Sequence, residues 1–198
     1  MSKGTLFVIS GPSGTGKGTV CNELLKREPI FLSISATTRD RRNNEVDGVT
    51  YYFVSREKFQ QMIDEDEVLE WAVYNQNFYG TPKRAVEDML AAGKNVLLEI
   101  EPQGALKVKE MLPETVLIFI LPPSMQELKK RLDERGRETP EQVRERLDAA
   151  AWEMEQAAKY TEVVVNDDLE ACIEAVIQII RKRTADVEII ERLLKEKY

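Results

Sequence analysis

A chain of 198 residues, 42% apolar and 32% charged, is long and apolar enough to bury the core of one domain. Its formal charge of −7 argues against a general nucleic-acid binder, which needs a basic surface, but leaves room for local arginines around a small phosphorylated ligand. With no histidine anywhere, Ser-His-Asp and Cys-His catalysis and histidine metal sites are all excluded. Cys21 and Cys172 form no CxxC pair and read as reduced, small buried hydrophobes. No apolar run approaches the ~20 residues of a membrane helix. Met1–Ser10 lacks the layout of a targeting peptide, so a cytoplasmic protein is expected.

From the N-terminus, Leu6–Ile9 is an apolar run without period-two alternation, the pattern of a strand buried on both faces of a parallel sheet. Val96–Ile100, Val116–Leu121 and Val163–Val165 read the same way, and Phe31–Ile34 is a candidate fifth strand. Thr50–Ser55 is strand-like, with a short helix from Ser55. Thr81-Pro82 places a capping hydroxyl before a proline, and Gly93 ends that helix. Ser124 with Glu127, and Thr139 with Gln142, match the capping box. Asp168 caps a helix running towards Arg183, and a separate amphipathic helix is expected near Asp186–Lys197. Strands alternating with helices predict an α/β, three-layer fold with a mainly parallel sheet. Residues 3–184 are read as one domain, with excursions at about 35–82 and 124–158 that close over ligands, and 185–198 as a C-terminal helix.

The strongest motif follows the first strand directly: Gly11-Pro12-Ser13-Gly14-Thr15-Gly16-Lys17-Gly18-Thr19. A glycine-rich turn between strand and helix points successive backbone N–H groups at a phosphate, the helix dipole adds positive potential, and Lys17 supplies a full charge. This is a P-loop for a nucleoside triphosphate; the bland alternative is a glycine-rich turn without a ligand. The usual hydroxyl is absent at Gly18, with Thr19 following. The GKGT ending resembles that of adenylate kinases. Mg²⁺ is therefore expected to be held mainly by ATP phosphates and water, with no metal site built from protein ligands.

Further along stand Ser35-Ala-Thr-Thr-Arg39-Asp-Arg-Arg42, Gly48-Val-Thr-Tyr51-Tyr-Phe53, Glu70-Trp71, Tyr79-Gly80-Thr81, Arg135-Gly136 and Val165-Asn166-Asp167-Asp168. With the P-loop, this ordered set resembles the guanylate kinase family over nearly the whole chain. The resemblance implies transfer of the γ-phosphoryl group of ATP to GMP, and to dGMP. It places Arg39, Arg42, Tyr51 and Tyr79 on the GMP phosphate, where guanidinium forks and phenolic hydroxyls suit a dianion. It places Glu70 on guanine, with Ser35 and Thr81 towards O6; a carboxylate accepts from N1–H and the exocyclic amine together, a donor pair that adenine lacks. Arg131, Arg135 and Arg146 match lid arginines that meet the triphosphate, and Asn166 borders adenine. Lys17, Arg39, Arg135 and Arg146 are the residues expected to act in the transfer itself.

Glu99 and Glu101 end a strand at its carboxyl edge, two residues apart and so on one face, a Walker B-like arrangement able to orient a magnesium water shell and to order the surroundings of the acceptor phosphate, so both are expected on the substrate side of the site. Aspartate is the family's commoner residue at Glu101, and capping of the following helix is the plainer reading there. Arg137 and Arg144 read as solvent-facing, Trp71, Phe53 and Phe78 as packing, and Thr81 as both cap and ligand contact. Two rival functions remain at this level: a kinase for another nucleoside monophosphate, and a non-catalytic guanylate-kinase-like module that binds phosphopeptides. Small-molecule partners are expected, with neither nucleic acid nor membrane, and the sequence does not give an oligomeric state.

Overall fold

In β1 (Leu6–Ser10) every residue is buried because both faces of the strand are covered. The computed structural model, which describes residues 3–74, 76–134 and 139–195, shows how. Side chains alternate across the sheet. Phe7 and Ile9 point into one apolar cluster, with Leu97, Ile118 and Ile120. Leu6 and Val8 point into another, with Val96, Leu98, Leu117 and Phe119. Two strands of this sheet are β7 (Asn95–Glu99) and β8 (Val116–Leu121), which flank β1 in parallel. The outer two are β2 (Ile30–Leu32) beside β7 and β9 (Glu162–Val165) beside β8, giving the parallel order β2-β7-β1-β8-β9.

One face of the sheet is covered by α1 (Lys17–Arg27) and α7 (Leu169–Lys195), which contribute Val20, Cys21, Leu24, Cys172, Ile173 and Val176 to the first cluster. The other is covered by α3 (Lys83–Ala91) and α4 (Pro102–Met111), through Val86, Leu90, Ala105 and Val108. These are the three layers expected. Because all five strands run the same way, their carboxyl ends share one edge, and the loops leaving that edge build a single cleft.

The first excursion is a small second sheet, ordered β4-β3-β6-β5. Its strands are β3 (Ala36–Thr37), β4 (Tyr52–Phe53), β5 (Val68–Tyr74) and β6 (Asn77–Pro82). It packs on α2 (Arg56–Asp64) around Phe59, Met62, Trp71 and Phe78, so the aromatic residues Trp71 and Phe78 serve packing, as anticipated. Ser55 caps α2 by accepting the Lys58 N–H at 3.1 Å. The second excursion is the helical pair α5 (Met125–Glu134) and α6 (Pro140–Glu155), joined through Leu128, Leu132, Val143 and Ala150. Thr139 and Gln142 form the full capping box. At Ser124 only half of it exists: the Glu127 N–H reaches Ser124 Oγ, while the Glu127 carboxylate turns to Arg131.

Three expectations need correction. β9 is not buried on both faces, since Val163 and Val165 are exposed. As the sheet's last strand it has a neighbour only in β8, and only Val164 points into the core. The two C-terminal helices are one: α7 runs unbroken from Leu169 to Lys195, because no glycine or proline interrupts it after Asp168 caps its start. Thr81 is no helix cap. It lies in β6, and Pro82 occupies the cap position of α3 without any side-chain bond to the helix.

Leu24 joins the P-loop helix to α7 and is fully buried. Leu24→Ala should cost about 2–5 kcal/mol from lost contact plus the cavity left behind. The drop would be read from the urea midpoint; a change below about 0.5 kcal/mol would mean that the α1–α7 layer contributes little.

Candidate active site

The loop after β1 has glycines where the chain must turn left-handed, with φ of 95° at Gly14 and 91° at Gly16. Thr15 ties the loop across itself by donating its hydroxyl to Pro12 O at 2.8 Å. A second tie comes from the far strand: the Asn166 side-chain amide donates to Thr15 O at 2.7 Å, so the end of β9 fixes the loop that follows β1. Lys17, at the first turn of α1, folds back with its ammonium on the carbonyl oxygens of Gly11 and Pro12. Gly18 needs no unusual backbone. A Cβ there would stand 3.6 and 3.8 Å from the Glu99 carboxylate oxygens, an ordinary contact. Thr19, in the same first turn, is exposed.

Opposite the loop is a cavity of about 170 Å³ whose wall includes Ser35, Tyr51, Glu70, Tyr79, Glu99 and Glu101. These come from the ends of β2 and β7, from the chain beside β4, and from β5 and β6. All six were expected to meet one ligand. Thr81 stands behind them, donating its hydroxyl to Glu70 Oε1 at 2.8 Å. Glu70 is 6% exposed, and burial pushes its carboxyl above the ordinary range despite the Thr81 bond and the Lys107 charge. Its other oxygen lies against α4, where a Cβ on Gly104 would fall 2.4 Å from Oε2. Only glycine lets that helix approach so closely. Glycine inside a helix is the sequence signal that could have revealed this contact.

Arg39 reaches Glu45 through two guanidinium–carboxylate bonds of 2.7 and 3.0 Å, and lies over the Tyr51 and Phe53 rings at 5.6 and 5.7 Å. Glu45 raises the Arg39 pKa, with Tyr79 adding to the effect. Glu45 went unnoticed in the sequence; its signal was a carboxylate three residues after Arg42. Arg42 itself is exposed and its N–H bonds Glu45 at 2.8 Å, so the structure places it beside Arg39, and neither arginine is part of the cavity wall.

At the acid edge, Glu99 is open to water from the cleft yet hemmed in by protein on its other sides. Its pKa rises through desolvation first, opposed by Lys17 and reinforced by Glu101. Cys21 lies beside Glu99 one turn down α1, and burial and then the Glu99 charge push its thiol up, so this residue is more than buried filler. Glu101 is the N-cap residue of α4 but makes no side-chain cap, which leaves its carboxylate to the cleft.

From the helical pair, Arg146 donates to Ser13 Oγ on the P-loop. Arg131 bonds Glu127 at 3.0 Å and the backbone oxygen of Asn166 at 3.1 Å. Arg144 is exposed; Arg135 and Arg137 lie outside the described residues. Among the described residues no group of three or more acidic or sulfur ligands could hold a metal. None of their helices is long and apolar enough to cross a membrane.

Comparison with known proteins finds similar chains over nearly the whole length. The family model described as guanylate kinase matches residues 3–183. A guanylate kinase of Clostridium perfringens (strain 13 / Type A) is 52% identical over 198 residues, 99% of this chain and 92% of the relative. That of Clostridioides difficile (strain 630) is 47% identical over 100% of this chain and 97% of its own length. The crystal structure of guanylate kinase from Anaplasma phagocytophilum superposes with a TM-score of 0.78 at 38% identity, covering 92% of this chain and 87% of that one.

Glu70 supplies a stability test. Its folded pKa lies above the unfolded value, so the ionised form destabilises the fold at neutral pH, and that cost is relieved as pH falls through the folded pKa. Glu70→Gln, which can still accept from Thr81, should raise the Tm at pH 8. The gain should fade to nothing near pH 4, and a lower Tm at pH 8 would refute the assignment.

Proposed function

The chain belongs to the guanylate kinase family, and from that premise we propose how its own residues phosphorylate GMP, and dGMP, with ATP. The observation that carries the reading is the cavity wall: Ser35, Tyr51, Glu70, Tyr79, Glu99 and Glu101 converge beside the loop that holds Lys17. ATP sits with its phosphates in the loop Gly11–Thr19 and its adenine towards Asn166. The GMP phosphate is gripped by Arg39, Tyr51 and Tyr79, with Arg42 approaching from the surface. Guanine reaches Glu70, which accepts from N1–H and the exocyclic amine, while Ser35 and Thr81 lie towards O6. AMP in this place would leave the buried carboxylate unmatched, which distinguishes the reading from other nucleoside-monophosphate kinases.

A phosphate oxygen of GMP attacks the γ-phosphorus as the bond to the β-bridging oxygen breaks, giving GDP and ADP. The acceptor is already an anion, so no protein base is required, in keeping with a chain that lacks histidine. Catalysis is then a matter of placement and charge. Lys17 exchanges the carbonyls of Gly11 and Pro12 for phosphate oxygens. Arg131 and Arg146 come from the helical pair and Arg135 from the sequence between its helices; this region, at about 124–158, acts as a lid and keeps water from competing for the phosphoryl group.

The acid edge fits a hydrated magnesium ion. Gly18 leaves space in front of the Glu99 carboxylate, where a side chain at that position would otherwise stand. Glu99 and Glu101 would hold the ion through its water shell, with ATP phosphates as its inner ligands. Magnesium so held spreads the charge of the phosphoryl oxygens. The protein is proposed to act in the cytoplasm.

Lys17→Ala should lower kcat by about 10²–10³-fold while the circular dichroism spectrum is retained. A near-normal kcat in a coupled ATP/GMP assay would remove Lys17 from the transfer. Glu70→Gln turns one acceptor into a donor and should shrink the ratio of kcat/KM for GMP over AMP by at least about tenfold; an unchanged ratio would mean that guanine is read elsewhere.

A further inference from the structure

The amino-terminal edge of the parallel sheet, opposite the cleft, carries a second and larger cavity. Its volume is about 300 Å³, against about 170 Å³ for the cavity at Glu70, which brings it to the lower end of the range of small-molecule sites. Leu6, where β1 begins, lines it together with Leu90 of α3, Leu112, and Thr115 just before β8. From α7 come Arg183 and Val187, four residues apart and so on one face. Leu6 and Leu90 belong to the packed core, and the loop from Leu112 to Thr115 is pinned from outside. Lys109 donates to the backbone oxygens of Pro113 and Thr115 at 2.6 and 2.7 Å. Two polar atoms in this lining are left over. Thr115 is 2% exposed, and neither its Oγ1 nor the buried Nε of Arg183 has a hydrogen-bond partner among the described residues. Arg183 spends its Nη2 on Glu114 at 3.1 Å, a carboxylate that is itself almost wholly exposed. Buried donors without acceptors are costly, so two of them in one preformed apolar cavity point to a ligand that brings the acceptors.

We propose that this cavity binds a small organic monocarboxylate with a compact apolar body. Its carboxylate accepts from Arg183 Nε and the Thr115 hydroxyl, and its body lies against Leu6, Leu90, Leu112 and Val187. The charge of the ligand follows from the donors. One guanidinium N–H and one hydroxyl match the two oxygens of a carboxylate, and the guanidinium neutralises its charge. A phosphate dianion would find too few donors here and would meet the Glu114 carboxylate beside them. An amine would face the guanidinium and leave Nε unmet. The site is separate from the catalytic cleft, because β1 has Leu6 at one end and Ser10, which leads into the P-loop, at the other. Those ends are about 13 Å apart along the strand. The ligand therefore competes with neither nucleotide, and the inference does not depend on the reading of the catalytic site.

The test is methyl NMR of the full chain titrated with octanoate and with benzoate, using octanol and octylamine as the neutral and cationic counterparts. At least one of the two carboxylates should shift the methyl signals of Leu112 and Val187 saturably, and saturating ATP or GMP should change its affinity by less than about twofold. Thr115→Val keeps the shape of the side chain and removes the hydroxyl, while Arg183→Met removes the guanidinium. Each should weaken carboxylate binding about tenfold or more, with the response to octanol and the rate of GMP phosphorylation little changed. If Arg183→Met does not fold, the nearly isosteric Thr115→Val decides. No saturable shift at Leu112 and Val187 with either carboxylate overturns the proposal. So does octylamine binding as tightly as octanoate, an unchanged affinity in Thr115→Val, or displacement of the carboxylate by GMP, which would place it in the catalytic cleft.

Discussion

Two polyanions must meet end to end in one cleft, and the resulting repulsion is the constraint to which the rest of this structure answers. Water solves such a problem by hydration, which the reaction cannot allow because water would compete for the phosphoryl group. The protein must supply fixed cations, and its overall charge of −7 means that they have to be gathered locally. No single stretch of chain could place them. Lys17 opens α1, Arg39 follows β3, and Arg131 and Arg146 belong to α5 and α6. The parallel sheet makes this possible, since every strand delivers its following loop to the same edge.

In the unliganded chain each of these cations already has an internal partner. Lys17 rests on the carbonyls of Gly11 and Pro12, Arg39 on Glu45, Arg131 on Glu127 and the Asn166 backbone, and Arg146 on Ser13. An unpaired guanidinium or ammonium in a half-buried cleft would be poorly solvated or would swing into water. Holding it near its working position costs little if the substitute partner is weak enough to be exchanged. Glu45 is the strongest substitute, a charged and bidentate one, and Arg39 can keep one of its bonds to it while turning the other edge of the guanidinium to a phosphate. Carbonyl and hydroxyl partners elsewhere are neutral and yield more readily.

The frame was legible in the sequence because its causes are local. Apolar runs, a glycine-rich turn after the first and capping residues such as Ser55, Thr139 and Asp168 each fix nearby backbone, and the fold followed from their order. What was missed depends on neighbours distant in the chain. Whether Val163–Val165 is a central or an edge strand depends on what lies beyond it, which the run itself does not encode. Thr81 looked like a cap because it precedes Pro82, yet strand pairing with Glu70 claims it first, so its hydroxyl serves the carboxylate. Glu45 and Cys21 are charged or small residues in unremarkable surroundings, and only assembly shows that they lie beside Arg39 and Glu99. The family motifs supplied Glu70 but not Gly104, whose missing Cβ is what admits the carboxylate to its place.

Acidic residues in a site built for anions look self-defeating until their positions are compared with their tasks. Glu70 is enclosed, fixed by Thr81 and pressed against Gly104, so its two acceptors are held in place at the cavity wall. Burial raises its pKa, a penalty that a ligand bringing two donors would relieve and one without them would not. Glu99 and Glu101 remain accessible from the cleft, where a divalent ion between them and the phosphates would turn repulsion into attraction. The same type of side chain is thus suited to reading a base when it is sealed from water and to ordering a hydrated cation when it is not. The difference is set by backbone around it, a helix glycine on one side and an open strand end on the other, and not by the carboxylate itself.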